Sequence, residues 1–195
     1  MNILAIDTCN EVGSLALLRG DILLEESALH STDGFGHVLF NAVEDLLAAH
    51  GMTLAEIDLF ATATGPGSFT GVRVCLTAGK GLAFANGKQL AGVSNLEALA
   101  SLGTGRLRAP LLDARRGDVY CALYSDSLEL LLPEAVCPLS RFEEQLPNQH
   151  IDRIHGGPLL AAAIARIAVR RGGQDPALVD ANYVRPSDAE LLPIA

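Results

Sequence analysis

Two carboxylates in this chain stand where chemistry could be done. Asp7 ends the apolar run Ile3-Leu4-Ala5-Ile6, and Asp113 ends the run at Leu111-Leu112. Facing each other across a cleft, such a pair could hold Mg²⁺ through water beside a nucleotide phosphate. The simpler alternative is that each carboxylate ends its strand by accepting turn amides. The following residues weigh against a nucleotide. Phosphate cradles are built from backbone N–H groups on open, glycine-rich turns, whereas Thr8-Cys9-Asn10 and Ala114-Arg115-Arg116 follow here. An RNase H-type nuclease would need several convergent carboxylates for two metals. The run at 59–64 ends in Thr64, not in an acid.

A third candidate is Gly65-Pro66-Gly67-Ser68-Phe69-Thr70-Gly71-Val72-Arg73. Its glycines permit a tight turn and close backbone approach. Ser68 or Thr70 is placed to cap the helix that follows. The turn reads either as an anion cradle at a helix N-terminus or as a plain strand-to-helix turn. No Gly-Lys-Ser/Thr follows, so it is not a P-loop. With Gly156-Gly157 in the second half, Asp7, Gly65, Gly67, Ser68, Asp113, Gly156 and Gly157 outline a vestigial nucleotide cleft. His37 opens a helix whose next-turn position is Asn41, and a metal there would want a second ligand at that place. No metal and no cofactor is expected.

These residues require elements to carry them. Apolar runs and turn residues predict strands at 3–7, 14–18, 22–28, 59–64 and 89–93. Helices are predicted over 36–50, 72–85 and 96–102. Past a glycine joint at 103–105, strands end at Asp113, span 118–125 and 151–154, with a third over 128–132. A short helix covers 141–145, and Pro158 opens a last helix to about Arg171. Residues 172–195 look extended and poorly packed. Ala16-Leu17 and Ala122-Leu123 stand at equal offsets from Asp7 and Asp113. This suggests two copies of one βββαβα-like unit, divided as 1–103 and 104–195.

Both long N-terminal helices are too apolar for one covered face. Helix 72–85 has only Arg73 and Lys80 charged, and a helix apolar nearly all round is buried on most sides. A four-helix contact with another chain is therefore expected. Val38, Leu39, Ala42, Val43 and Leu46 would form one stripe; Arg73, Leu76, Gly79, Lys80 and Ala83 would form the other. Gly79 is the expected point of closest approach.

At 195 residues, 49% hydrophobic and 19% charged, the chain is globular and long enough for a real core. Net charge is −9. Residues 1–100 hold four basic and 11 acidic side chains, −7, and residues 101–195 hold ten and 12, −2. An acidic first half is a poor sole platform for nucleic acid and suits a protein partner. The four cysteines form no Cys-x-x-Cys pair, which fits a reducing compartment. No signal or membrane-length run is read, and a cytoplasmic location is expected.

Ile3-Leu4-Ala5-Ile6-Asp7-Thr8, the 65–73 block, Gly79-Lys80-Gly81-Leu82-Ala83 and Gly92-Val93-Ser94-x-Leu96-Glu97-Ala98-Leu99 resemble the TsaB (YeaZ) family. Leu112-Asp113-Ala114-Arg115-Arg116-Gly117-Asp118-Val119-Tyr120 and Tyr183-x-Arg185 extend the match over nearly the whole chain. The resemblance implies an α/β actin-like, Hsp70-like ATPase fold of two RNase H-like lobes. It implies a non-catalytic subunit for threonylcarbamoyladenosine in tRNA, pairing with itself and with the catalytic TsaD, joined by the ATPase TsaE. tRNA would be met only through the complex. Asn41 occupies the place of TsaD's second metal histidine. Two departures stand out: Val38 follows His37 where many relatives have Ser, and the second half is shortened after about Ser125. The rival reading is a small actin-like ATPase or kinase.

Overall fold

In the computed structural model, residues 1–157 and 159–184 are described. Five strands form the first sheet: β1 (Asn2–Asp7), β2 (Gly13–Arg19), β3 (Ile22–Leu29), β4 (Leu59–Ala63) and β5 (Gln89–Val93), in the order β3-β2-β1-β4-β5. β1, β4 and β5 are parallel, and β2 and β3 pair antiparallel. The second sheet uses β6 (Leu107–Asp113), β7 (Asp118–Ser125), β8 (Leu130–Pro138) and β9 (Asp152–His155), in the order β8-β7-β6-β9. That order repeats the first four strands of the first sheet, with β6 in the place of β1. Asp7 and Asp113 therefore end equivalent strands, and the offset repeat is structural. The duplicated order is that of an actin-like ATPase fold with two RNase H-like lobes.

The helices are α1 (Leu39–Ala49), α2 (Phe69–Ala85), α3 (Asn95–Ala100), α4 (Leu139–Glu143) and α5 (Ala161–Arg171). Register assigns the sheet faces. Leu4, Leu17, Phe60 and Leu90 align on one face, and α2 lies there, with Gly79 against Thr62 and Leu90. The turn at 35–37 that leads into α1 also touches α2. Ala5, Ala16, Ala61 and Ala91 align on the other face. There the alanine-rich α5 packs, because small side chains on both sides let helix and sheet approach closely. Ser14 Oγ accepts from Ala161 N (3.1 Å) and Glu26 Oε1 from Ala162 N (2.8 Å), so two of the helix's first-turn donors are satisfied.

The helices cross over between the halves. α3, which follows the first sheet, packs on β6 and β7; α5, which follows the second, spans the first sheet. A cut at 103/104 separates the sheets but not their cores, since Leu112, Ala122 and Tyr124 belong to the main apolar cluster.

Several boundaries differ from expectation. α1 begins at Leu39, because 35–37 coil into a 3-10 turn. α2 begins at Phe69, three residues early, because Ser68 is the cap, accepting from Gly71 N at 3.3 Å. β8 runs to Pro138, well past Leu132. Residues 172–184 are not loose. Gln174 exchanges two backbone hydrogen bonds of 3.0 Å with Leu90 on the free edge of β5, and Val179 is buried. The expected helix start at Pro158 and the Arg185 part of the motif lie outside the described residues.

Candidate functional site

The two carboxylates differ in setting. Asp7 is buried, and both its oxygens are engaged: Oδ1 accepts from Cys9 N (2.8 Å) and Oδ2 from Asn95 Nδ2 (3.1 Å). Burial raises its pKa above the usual carboxylate value, and the Cys9 and Asn95 bonds lower it by less. Asp113 is exposed and accepts from Arg115 N at 2.7 Å. Its turn carries Arg115 and Arg116 at φ 62° and 57°, a conformation that normally favours glycine.

The glycine turn is packed against the chain's own backbone. A Cβ on Gly71 would stand 1.9 Å from Thr8 O, and one on Gly67 2.4 Å from Cys9 O. Thr8 Oγ1 donates to Gly71 O (2.7 Å), and Ser68 N donates to Cys9 O (2.7 Å). Gly65, at φ 98°, donates its N–H to Asn95 Oδ1 at 3.1 Å. The 65–71 turn thus lies on the Thr8–Cys9 turn where a phosphate loop would stand open. Gly156 N is spent on Leu111 O (2.9 Å), and Gly157 is exposed at φ 139°.

Between the lobes lies a cluster not foreseen from sequence. Glu134 on β8 accepts from Ser94 Oγ, from Tyr124 Oη (2.6 Å) and from Asn182 Nδ2 (2.5 Å). Asn182 N also donates to Thr64 O at 2.7 Å, so this residue joins both sheets. Burial, then the Glu134 charge, pushes the Tyr124 pKa upward. Glu97 on α3 pairs with Arg171 on α5. The single local signal for this cluster was an acid set among apolar residues, Glu134 in Leu130–Pro138; its partners Ser94 and Asn182 lie far away in the chain.

The expected partner residues divide. Leu39, Val43, Leu46, Gly79 and Ala83 are buried in this chain's own core. The stripe with helical period is therefore the face that covers the sheet, and those five are corrected to core positions. A Cβ on Gly79 would meet Thr62 and Leu90 at 3.1 and 3.2 Å, so the close approach there is to the sheet. Val38, Ala42, Leu76 and Lys80 are half-buried, and Arg73 is exposed. The outward face that remains carries Phe40, Asn41, Glu44 and Asp45 on α1, and Arg73, Thr77, Gly81 and Phe84 on α2. Phe84 is 84% exposed and Phe40 51%, a large apolar commitment for a free surface. Lys80 Nζ lies 3.7 Å from Asp180 of the C-terminal segment. His37 lines a surface pocket with Glu11, His30 and Asp33. Among the described residues, no three potential metal ligands converge there or elsewhere.

A family model described as TsaD, tRNA N6-adenosine threonylcarbamoyltransferase, matches residues 33–168. The TsaB protein of Bacillus subtilis is 37% identical over 154 residues, covering 76% of this chain and 67% of that one. The TsaB protein of Haemophilus influenzae is 31% identical over 203 residues, covering 94% and 83%. Both are named tRNA threonylcarbamoyladenosine biosynthesis proteins. YeaZ from Pseudomonas aeruginosa superposes with a TM-score of 0.78 at 28% identity, covering 93% of this chain and 99% of that one. By sequence over most of its length and by fold over nearly all of it, the chain belongs to the TsaB (YeaZ) family.

Proposed function

We propose that the chain is a non-catalytic partner subunit in the synthesis of threonylcarbamoyladenosine in tRNA, pairing with a TsaD-type transferase. One observation carries this reading. The glycine turn that would border a nucleotide's phosphates is packed backbone to backbone on Thr8 and Cys9, and its Ser68 N–H is consumed there. Asp7 likewise spends both oxygens inside the fold. What the structure offers outward is the α1–α2 face with Phe40 and Phe84 exposed. We assign this face to the TsaD-type subunit and to a second copy of the chain, with a TsaE-type ATPase joining the pair. tRNA would be met only through the complex, and the four free thiols fit work in the cytoplasm.

The test is pairing of the full-length chain with the TsaD-type protein of the same cell, by calorimetry and sedimentation. Thr77→Arg, in the middle of the outward face of α2, should abolish pairing while circular dichroism stays unchanged. Undiminished pairing in that variant would sink the surface assignment. Sustained magnesium-dependent ATP hydrolysis by the chain alone, lost in Asp7→Ala, would instead favour the ATPase reading.

A further inference from the structure

The four cysteines stand in two pairs, one in each lobe, and all are free thiols. Cys9 and Cys75 place their sulfurs 3.7 Å apart, and Cys121 and Cys137 place theirs 3.8 Å apart. The pairs differ in their access to solvent. Cys9 and Cys75 are both sealed in the main core. Cys121 is buried on β7, but Cys137, near the end of β8, is only half-buried.

Strand register puts the second pair on one face of the sheet. Cys121 stands opposite Ala135 and Val119 opposite Cys137, so the two thiols are diagonal neighbours. The Cys121 thiol leans across the strands, 3.7 Å from Ala135 O. The sulfurs must close by about 1.8 Å to reach bonding distance. The register slips between Cys121 and Leu123, and a disrupted ladder has more room to shift than a regular one. The two thiols are also unequal. Burial, then the Cys137 charge, pushes the Cys121 thiol up to about 12, while Cys137 reaches solvent. Cys137 is therefore the thiol that meets a reagent first, and Cys121 the one that resolves.

We propose that Cys121 and Cys137 form a dithiol modification site, closed to a disulfide by a low-molecular-weight disulfide of the glutathione type, while Cys9 and Cys75 stay reduced. The Cys137 thiolate attacks one sulfur of the reagent, whose S–S bond breaks, and one glutathione leaves as its thiolate. The Cys121 sulfur then attacks Cys137 Sγ, the mixed disulfide breaks, and the second glutathione leaves. Two protein thiols are oxidised and one disulfide is reduced; the two protons pass through solvent to the departing thiolates. The second attack sets the rate, because the Cys121 thiol is held neutral. In a reducing compartment such a bond is transient. The ring it closes runs from 121 to 137 and includes Tyr124 and Glu134, so it staples the hairpin that carries the interlobe cluster. None of this depends on the TsaD-type partner assigned above.

The experiment is incubation of the native full chain with excess glutathione disulfide, then quenching, unfolding, labelling of the remaining thiols and mass spectrometry. The expected product is lighter than the reduced chain by two hydrogens, with residues 121 and 137 linked and Cys9 and Cys75 labelled. Cys121→Ser should stop at one glutathione on Cys137, and Cys137→Ser should react about ten-fold more slowly or less. In the oxidised chain, hydrogen exchange across 122–136 should slow about three-fold or more, and dithiothreitol should reverse it. Wild type that stays unlinked, or that keeps glutathione on Cys137, overturns the proposal. So does a Cys9–Cys75 link formed as fast in the folded chain, or a Cys137→Ser variant that reacts at the wild-type rate. Exchange left unchanged by a bond that does form overturns the staple.

Discussion

Replacing Gly71 by alanine should destabilise the protein, although alanine is the better helix former. Gly71 lies in the first turn of α2, and its added Cβ would be 1.9 Å from Thr8 O and 2.9 Å from Thr8 C. Both are backbone atoms, so no side chain can swing away. The turn must separate from β1 by more than an ångström. Two bonds stretch as it does: Thr8 Oγ1 to Gly71 O and Ser68 N to Cys9 O, both 2.7 Å. Each is worth about 1 kcal/mol, and the overpacking adds about 1–3 kcal/mol. The gain in helix propensity returns at most about 1 kcal/mol. The net loss is about 2–4 kcal/mol, which lowers Tm by roughly 4–16 °C in a chain of this size. Gly81 in the same helix is the control, because a Cβ there meets nothing within 4 Å. Gly81→Ala should gain about 0.5–1 kcal/mol. Thermal and urea melts followed by circular dichroism would measure both. A Gly71→Ala protein that melts at or above wild type would refute the backbone contact as the reason for glycine there.

Gly79→Leu should behave as a folding lesion, costing about 1–3 kcal/mol, because its side chain would enter the Thr62–Leu90 contact; pairing lost with no fall in the urea midpoint would contradict this. Glu134→Ala leaves Ser94, Tyr124 and Asn182 without their acceptor and should cost about 2–3 kcal/mol. Hydrogen exchange should then accelerate in both β8 and residues 179–184; a change confined to β8 would deny the link between them. Asp7 gives a pH signature. Its folded pKa lies above the unfolded 3.8, so the native state binds more protons in the window between the two values. Its contribution to stability therefore falls as pH rises through that window. Wild type should gain on Asp7→Asn as pH drops towards 4, and urea midpoints running parallel across pH would count against it.

The local signals in this sequence are good guides to its elements. β5 and β7 fall where the runs of Gln89–Val93 and Asp118–Ser125 put them, and Ser94 caps α3. The equal offsets after Asp7 and Asp113 marked a true duplication, because a strand followed by a hairpin has the same grammar in both halves. Periodicity fails to say what an apolar stripe faces. Leu39, Val43 and Leu46 repeat correctly for a helix, yet a helix on a sheet and a helix on a partner demand the same repeat. Only the fold shows that the sheet takes them and leaves Phe40 and Phe84 outside. Glu134, Asn182 and Tyr183 were illegible for another reason. Their partners stand 40, 48 and 110 residues away, and no local pattern encodes such contacts. The tail at 172–184 reads as loose because the bonds that anchor it go to Leu90 on β5 and to Thr64 just past β4, far away in the chain.

The crossing of α5 onto the first sheet has a consequence during synthesis. The alanine face of that sheet is complete once β5 leaves the ribosome, but its cover is encoded up to Arg171. Translating from residue 103 to residue 171 takes roughly 3–14 s, far longer than hairpins need to form. Through that interval the nascent first lobe presents Ala5, Ala16, Ala61 and Ala91 bare, beside the uncapped edge of β5. A truncated gene ending near residue 103 would make that state permanent, and its product should be aggregated or degraded rather than a working half. Maturation runs backwards along the chain: α5, made late, closes the first sheet begun.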